Sequence, residues 1–446
     1  MTNSSRTDFR SDPRSVLDRV LLNPQQKKAV VCDAWPQLVF AGAGTGKTRV
    51  LTAKIAHLIE SRKAHPNHIF AATFTNKAAA EMRGRVEQLA GISCAAMWIG
   101  TFHSMCARIL RQQGHRLGYT SSFSIYDKDD QLTLLRKIMK SLEVDERTMQ
   151  PRHALNVISM HKNKCVPPDE LSGTGKGYYQ QEIIRVYAEY QKALKDQQAM
   201  DFDDLITNTV YLFRRERAVL SRYHDMFAYI LVDEYQDTNV SQFNLVKLLA
   251  AGHGRVFVVG DDDQSIYGWR GAEVENILGF EDHFPGATVF TLEENYRSTG
   301  SILSFANAVI AANPRRAPKQ LWTGEGEGAN VVVARYGDDR QEAEGTVRRV
   351  RELSGTGHKL GDMAVLFRTN AQSRAFEEAF RKANLPYVLV GGVSFYERKE
   401  IKDCLAYLRL LVNPRDDVSC ERILNVPSRG IGAKSREGLA HTARQT

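Results

Sequence analysis

The chain has 446 residues, of which 43% are hydrophobic and 25% charged, ordinary proportions for a soluble globular protein with room for about three domains of roughly 150 residues. It contains no apolar run of about 18 residues and therefore no membrane span, and the polar opening Met1 to Ser15 lacks the apolar core of a signal peptide, so a loose tail and a cytoplasmic protein are expected. The net charge of +8 permits a polyanionic partner without requiring one, because 60 basic and 52 acidic residues mostly form a mixed solvated surface. Six scattered cysteines with no C-x-x-C pair argue against a zinc or disulfide framework and for reduced thiols.

In chain order, short β-rich apolar runs are each followed by a helical pattern. Residues 38–40 lead into a glycine-rich turn and a helix over 49–60. Residues 68–73 form the second run, 229–232 the third and 256–259 the fourth. Strands that are apolar along their whole length and separated by helices predict a parallel sheet covered on both faces. Between the second and third runs, residues 118–200 are helical in character. There Ile183, Tyr187, Tyr190 and Leu194 share one face and Gly173 to Gly177 break the pattern, which predicts a helical subdomain inserted into the sheet domain. A second α/β series after Glu293 predicts strands over 331–335, 363–367 and 387–390, with loops over 324–328 and 354–357.

The chemistry-bearing segments lie at the ends of these strands, where parallel sheets collect ligands. Ala41-Gly42-Ala43-Gly44-Thr45-Gly46-Lys47-Thr48 has the strand before it and the helix after it that a phosphate loop needs, although its first position is alanine rather than glycine. Its backbone N–H groups would wrap phosphate oxygens, Lys47 would reach the β- and γ-phosphates, and Thr48 would ligand Mg²⁺. Asp233-Glu234 would supply one carboxylate for the metal and one to polarise the attacking water; without the phosphate loop, such a pair could equally be a strand cap. In Gly260 to Arg270, Gln264 is placed to sense the γ-phosphate, while Tyr267, Trp269 and Arg270 supply the flat rings and cation of a single-strand track. The competing reading makes the two rings core aromatics. Phe74, Asn76, Thr101 and His103 also follow strands and suit phosphate or base contacts, with His103 either structural or phosphate-contacting. Arg297 would be an arginine finger, or else an ordinary surface cation.

Together these segments resemble the UvrD/PcrA/Rep type of superfamily 1 DNA helicases. The resemblance begins at Leu22-Asn23-Pro24-Gln25-Gln26 and includes Asp201-Phe202-Asp203-Asp204-Leu205 and Phe367-Arg368-Thr369-Asn370. It continues through the run from Phe395 to Asp403 and Asn425-Val426-Pro427-Ser428-Arg429-Gly430-Ile431-Gly432. It implies an α/β fold of two RecA-like P-loop NTPase domains, parallel sheets flanked by helices, with helical insertions. Domain 1A would cover 21–117 and 201–290 after a flexible tail over 1–20; 1B would cover 118–200, 2A 291–393 and 2B 394–446. ATP and Mg²⁺ are the implied cofactors. Gln26 and Tyr296 would contact the adenine, Arg49 would join the nucleotide pocket, and Phe74, Asn76, Thr101, His103, Tyr267, Trp269 and Arg270 would line DNA.

The implied activity is ATP-driven 3′→5′ translocation on single-stranded DNA and unwinding at single-strand/duplex junctions, in repair or replication restart. The implied protein would be a monomer or weak dimer, nucleoid-associated when bound to DNA, with repair or replication proteins as possible partners. The chain stops at Thr446, where domain 2B should only be starting. A fragment of a longer protein is therefore expected, with the second arginine finger absent, slow hydrolysis and poor unwinding. Two readings compete: the helicase part of a RecB/AddA-like helicase–nuclease, and an ATP-gated single-strand clamp that does not unwind. A P-loop ATPase without nucleic acid leaves Phe74, Tyr267 and Trp269 unexplained.

Overall fold

The structure is a computed structural model that describes residues 15–171, 177–390, 398–432, 434–435, 438–439 and 442. Its centre is a six-stranded parallel sheet built from β1 (Gln37–Ala41), β2 (Ile69–Thr73), β3 (Trp98–Thr101), β6 (Tyr229–Val232), β7 (Val256–Gly260) and β8 (Thr288–Leu292). The spatial order is β3-β2-β6-β7-β1-β8. Two shorter strands, β4 (Ser124–Tyr126) and β5 (Ala199–Asp201), pair in parallel by themselves.

Period-two geometry divides each inner strand between two cores. Leu38 and Phe40, Phe70 and Ala72, Ile230 and Val232, and Val256 and Val258 enter one core, which the helices Phe102–Gln113, Phe202–Arg215 and Val240–Ala250 cover. Val39 and Ala41, Ile69 and Ala71, Tyr229 and Leu231, and Phe257 and Val259 enter the other, under the helices Pro24–Val31, Lys47–Glu60 and Asn76–Ala90. Both faces are buried, so apart from Gln37 and Thr73 at strand ends these strands carry no polar side chain and no alternation shows in the sequence. A third core joins the helices Lys128–Ser141, Pro151–Asn163 and Tyr178–Asp196 through Leu135, Ile158, Val186 and Tyr190. On the last of these helices the predicted face of Ile183, Tyr187, Tyr190 and Leu194 is buried. The predicted break falls mostly outside the described residues.

By its internal contacts the chain divides into two units. One runs to Ala329 and includes Arg409–Glu421; the other comprises Asn330–Leu408 and the residues from Arg422 onward. Residues 291–329, expected to open the second domain, thus belong with the first unit. The first unit also holds 409–421 by polar contacts: Asn413 donates to Ser124 Oγ at 3.0 Å, and Tyr126 donates to Asp416 at 2.7 Å.

Two expectations are corrected. Residues 16–19 are not part of a flexible tail. Ser15 caps the helix Val16–Arg19, Val16 is fully buried, and its N–H donates to Glu60 at 2.9–3.0 Å. In the second unit, the segments 331–335, 363–367 and 387–390 form no strand, and the described residues there are helices and loops. A β-rich run becomes a strand only when a neighbour takes its N–H and C=O groups, and among the described residues none does so here. Val332, Val333, Leu366, Val388 and Val390 are accordingly 78–92% exposed.

The helix Pro24–Val31 is fixed to the helix Lys47–Glu60 by the fully buried Lys54, whose ammonium donates to the carbonyls of Val30 at 3.0 Å and Cys32 at 2.6 Å. Burial pushes this amine down to about 8, from an ordinary value of about 10.4. Between those values the unfolded chain holds a proton that the folded chain has released, so stability gains with rising pH across that window. The stability difference between the wild type and Lys54→Met should therefore shift in favour of the wild type between about pH 8 and pH 10. Urea denaturation of both proteins at the two ends checks this, and a difference independent of pH contradicts it.

Candidate nucleotide and nucleic-acid site

Because all six central strands are parallel, the loops after β1, β2, β3, β6, β7 and β8 emerge at one edge of the sheet. Gly44 and Gly46 have φ of +73° and +87°, and Gly46 N-caps the helix Lys47–Glu60. That is the left-handed conformation in which glycine carries no Cβ penalty. A Cβ on Gly44 would lie 2.5 Å from Asn295 Nδ2 and one on Gly46 2.9 Å from Gln26 Nε2, so close approach also demands glycine at both. Thr45 is buried and bonds back to the Gly42 carbonyl at 2.8 Å, while Lys47 Nζ donates to the Ala41 carbonyl at 3.3 Å. Ala41 is the last residue of β1 and fully buried, which accommodates alanine at the loop's first position.

The acidic pair follows β6. Asp233 is buried with Oδ2 3.4 Å from the Thr48 hydroxyl, and Glu234 lies 4.0 Å from Lys47 Nζ. Burial, with Glu234 adding to it, pushes the Asp233 carboxyl up to about 7. Such a buried acid beside a hydroxyl fits a divalent cation, whose charge would offset the burial penalty. Glu234 has φ 50° and ψ 44°, a conformation rare for a residue with a side chain. Its carboxylate accepts from Gln236 Nε2 at 2.9 Å, and Gln236 Oε1 accepts from the Asp261 N–H at 2.9 Å. The fully buried Gln236 therefore ties the acidic pair to the loop after β7. A Cβ on Gly260 would lie 2.6 Å from Gln236 Oε1. Sequence reasoning passed over this glutamine, two residues beyond the acidic pair.

In the loop after β7, Gln264 donates through Nε2 to the Asp261 carboxylate, and its own N–H bonds the Asp261 carbonyl at 2.9 Å. The same loop then exposes Ile266, Tyr267 and Trp269 by 55%, 37% and 67%, which rules out the core reading for the two rings. The Arg270 guanidinium lies 4.6 Å from the Trp269 ring centre and 5.4 Å from that of Tyr267.

Near the ends of β2 and β3 the predicted residues divide. Asn76 is exposed at the first turn of the helix Asn76–Ala90. Phe74 is half-buried, packed edge-on against Phe102 at 5.9 Å. Thr101 is buried, and its hydroxyl caps the helix Phe102–Gln113 by accepting from Ser104 N–H at 3.2 Å, so its visible work is structural. Burial lowers the pKa of His103, which meets the 48%-exposed ring of Phe202 edge-on at 5.8 Å. Phe202 extends the exposed aromatic surface. An apolar ring at the first position of a capped helix was the available signal.

The loop after β8 closes over the phosphate loop. Asn295 is buried, donates to the Ala43 carbonyl at 2.6 Å and accepts from the N–H groups of Arg297 and Ser298 at 2.8 Å. The Tyr296 N–H donates to the Gly44 carbonyl at 3.1 Å. Arg297 is exposed, and a Cβ on Gly44 would lie 2.8 Å from its Cβ, so the finger candidate rises directly over the loop. Tyr296 is 43% exposed and accepts from Asn23 Nδ2 at 3.0 Å. Gln26 is fully buried, bonded to the Thr45 carbonyl at 2.8 Å and to the Asn23 N–H at 3.0 Å. Arg49 is exposed, with Nη1 3.4 Å from the Leu21 carbonyl.

Residues 22–285 match the family model for the UvrD/REP helicase N-terminal domain, and residues 290–445 match that for the UvrD-like helicase C-terminal domain. The chain belongs to the UvrD/REP helicase family. Among similar proteins, the ATP-dependent DNA helicase PcrA of Bacillus subtilis (strain 168) is 51% identical over 423 residues, covering 95% of this chain and 57% of that protein. The proteins of the same name from Staphylococcus aureus (strain Mu50) and Staphylococcus epidermidis are each 47% identical over 424 residues, 95% of this chain and 58% of theirs. The chain thus spans less than two thirds of the length of these UvrD/REP-family relatives. No helix among the described residues is long and apolar enough to cross a membrane.

Proposed function

We propose that this chain carries the ATP site and the leading part of the strand track of a DNA helicase that translocates 3′→5′ on single-stranded DNA. The observation that carries this reading is the loop after β7. Through Gln236 it is bonded to Glu234 at one end, and at the other it exposes Tyr267, Trp269 and Arg270. One short segment therefore adjoins both the nucleotide chemistry and a surface that every base can stack on.

In this reading ATP lies on the phosphate loop. Lys47 and the loop N–H groups hold the phosphates, and Arg297 balances charge as the γ-phosphate leaves. Thr48 and Asp233 would hold Mg²⁺, which supplies charge neutralisation when bound. Glu234 takes the proton of the attacking water, and Gln264 registers the γ-phosphate. Gln26 retains one amide hydrogen and one oxygen lone pair beyond its present bonds, enough for the edge of an adenine that stacks on Tyr296; Arg49 borders the same pocket. Asn76, His103, Phe74 and Phe202 continue the DNA track. Domains 1A (21–117 and 201–290), 1B (118–200), 2A (291–393) and 2B (394–446) are the division we propose for the motor, with 291–329 and 409–421 being the parts of 2A and 2B whose contacts fall in the first unit, and with action at single-strand/duplex junctions in repair or replication.

The test is ATP hydrolysis by the chain with and without single-stranded DNA. Strong stimulation by DNA supports the reading; equal turnover in both conditions, with no DNA bound, overturns it. For the track itself, Trp269→Ala should weaken single-stranded DNA binding by about 5- to 150-fold, the worth of one base stack. Nucleotide affinity should stay unchanged. Fluorescence anisotropy with a labelled oligonucleotide reads the first quantity and a fluorescent nucleotide the second. Unaltered DNA affinity in Trp269→Ala would remove that ring from the track.

A further inference from the structure

Beside the loop after β7 lie three consecutive carboxylates, Asp261, Asp262 and Asp263, whose oxygens converge as a metal site's would. A cation from the chain itself is already at their centre. Lys319 Nζ lies 3.0 Å from Asp261 and 2.8 Å from Asp263, and it also bonds Asp262. The Lys319 side chain is 2% exposed. Arg316 adds a two-pronged bond to Asp263 at 2.8 and 3.1 Å, and the Ala317 N–H donates to Asp262 at 2.7 Å. Three negative charges thus face two positive ones and a backbone donor.

The segment bearing Lys319 touches the rest of the nucleotide site as well. A Cβ on Gly42 of the phosphate loop would lie 2.3 Å from Leu321 Cδ2, so Leu321 fills the space beside that glycine. Trp322 exchanges backbone hydrogen bonds with Glu293 at 3.1 Å and Asn295 at 2.8 Å, alongside the loop that carries Arg297. Seven residues, 316–322, therefore contact the phosphate loop, the arginine-bearing loop and the loop of Gln264.

We propose that Lys319 is a positioning residue that latches the Gln264 loop to this strap, acting on Gln264 through Asp261, so that nucleotide contact at one end of the loop is transmitted to the DNA-facing rings at the other. The Asp261 carboxylate is the relay, since it accepts from both the Lys319 ammonium and the Gln264 amide. Without the ammonium, three neighbouring carboxylates repel one another and the loop loses its single arrangement. The consequence for ATP and DNA rests on the motor reading above; the latch itself does not.

Hydrogen exchange on the purified chain tests the latch directly. In Lys319→Met the amides of residues 263–265 should exchange about tenfold faster or more, as expected of a locally opened segment, while the strands β1, β2 and β6 keep wild-type protection. Coupling is read as the ratio of single-stranded DNA affinities with and without a non-hydrolysable ATP analogue, a quantity that simple loss of stability does not move. It should fall to near one, with nucleotide affinity within about threefold of wild type. Asp261→Asn leaves Lys319 two carboxylates and keeps an amide oxygen that can still cap the Asp263 N–H, but that oxygen cannot accept from Lys319 and Gln264 as the two carboxylate oxygens do. It should give the same loss of coupling, and it serves if Lys319→Met does not fold. Wild-type exchange over 263–265 in a folded Lys319→Met, or wild-type coupling in Asp261→Asn, overturns the proposal. Wild-type DNA affinity indifferent to the analogue would overturn the motor reading, and the exchange measurement would still decide the latch.

Discussion

Glu234→Gln is expected to lower ATP turnover by about a hundredfold to ten-thousandfold, the usual worth of a positioned general base. The amide has the same shape, and its oxygen can still accept from Gln236 Nε2 as the carboxylate does at 2.9 Å. What it cannot do is take a proton from water. Binding of nucleotide should persist, because the phosphate loop, Lys47 and Asp233 are untouched. It should even tighten slightly, since a negative charge 4.0 Å from Lys47 Nζ is removed from the phosphate pocket. Steady-state hydrolysis beside fluorescent-nucleotide binding separates the two effects. Turnover within threefold of wild type would assign the base elsewhere, with Asp237 next in line: it is close enough to Glu234 for that charge, together with burial, to push its carboxyl up to about 6.

Lys162→Met is expected to destabilise the first unit by about 3–5 kcal/mol, the cost of leaving buried charges unpaired. Lys162 is buried in the helix Pro151–Asn163, 2.6 Å from Asp201 and 2.8 Å from Asp204. Those two acids form the capping box of the helix Phe202–Arg215, and Tyr190 donates to Asp201 at 3.0 Å. The cluster thus joins two helices of the third core to a helix over the sheet. Burial and the neighbouring Asp201 already push Asp204 up to about 6 with the lysine in place. Without it Asp204 should be driven further toward the neutral form. A carboxyl whose pKa is higher in the folded state supports folding at low pH and loses that support as pH rises. The deficit of Lys162→Met should therefore be smaller at about pH 5 than at about pH 8, and Asp201→Asn with Asp204→Asn should recover part of it. Urea denaturation at both pH values measures this. A deficit below about 1 kcal/mol would mean that water or rearrangement satisfies the acids.

The sheet edge that bears the candidate site was legible because strand and motif are adjacent in sequence. β1, β2, β6 and β7 are short apolar runs that end directly in Gly42, Phe74, Asp233 and Asp261, and both the periodicity and the residue types show locally. Three kinds of feature were not legible. Thr101 shows the same residue type whether it contacts phosphate or caps a helix, and only burial and its bond to Ser104 tell the two apart. Lys319 and Asp262 are 57 positions apart, and nothing local marks a lysine that will be buried among acids. The runs at 331–335, 363–367 and 387–390 have strand-like composition, but composition does not supply the neighbour that turns a run into a ladder.

In the proposed reading, the left-handed backbone at Glu234 sets thermal tolerance against turnover. Holding a side chain there costs on the order of 1 kcal/mol, whereas glycine or asparagine adopts that geometry more readily. A screen that rewards heat resistance alone should accept Glu234→Gly or Glu234→Asn wherever the relieved backbone outweighs the lost bond to Gln236, and in the proposed reading such proteins no longer burn fuel. Shuffled or heat-selected libraries of this chain should therefore be sorted by hydrolysis before they are sorted by melting temperature, or they will enrich for well-folded engines with the ignition removed.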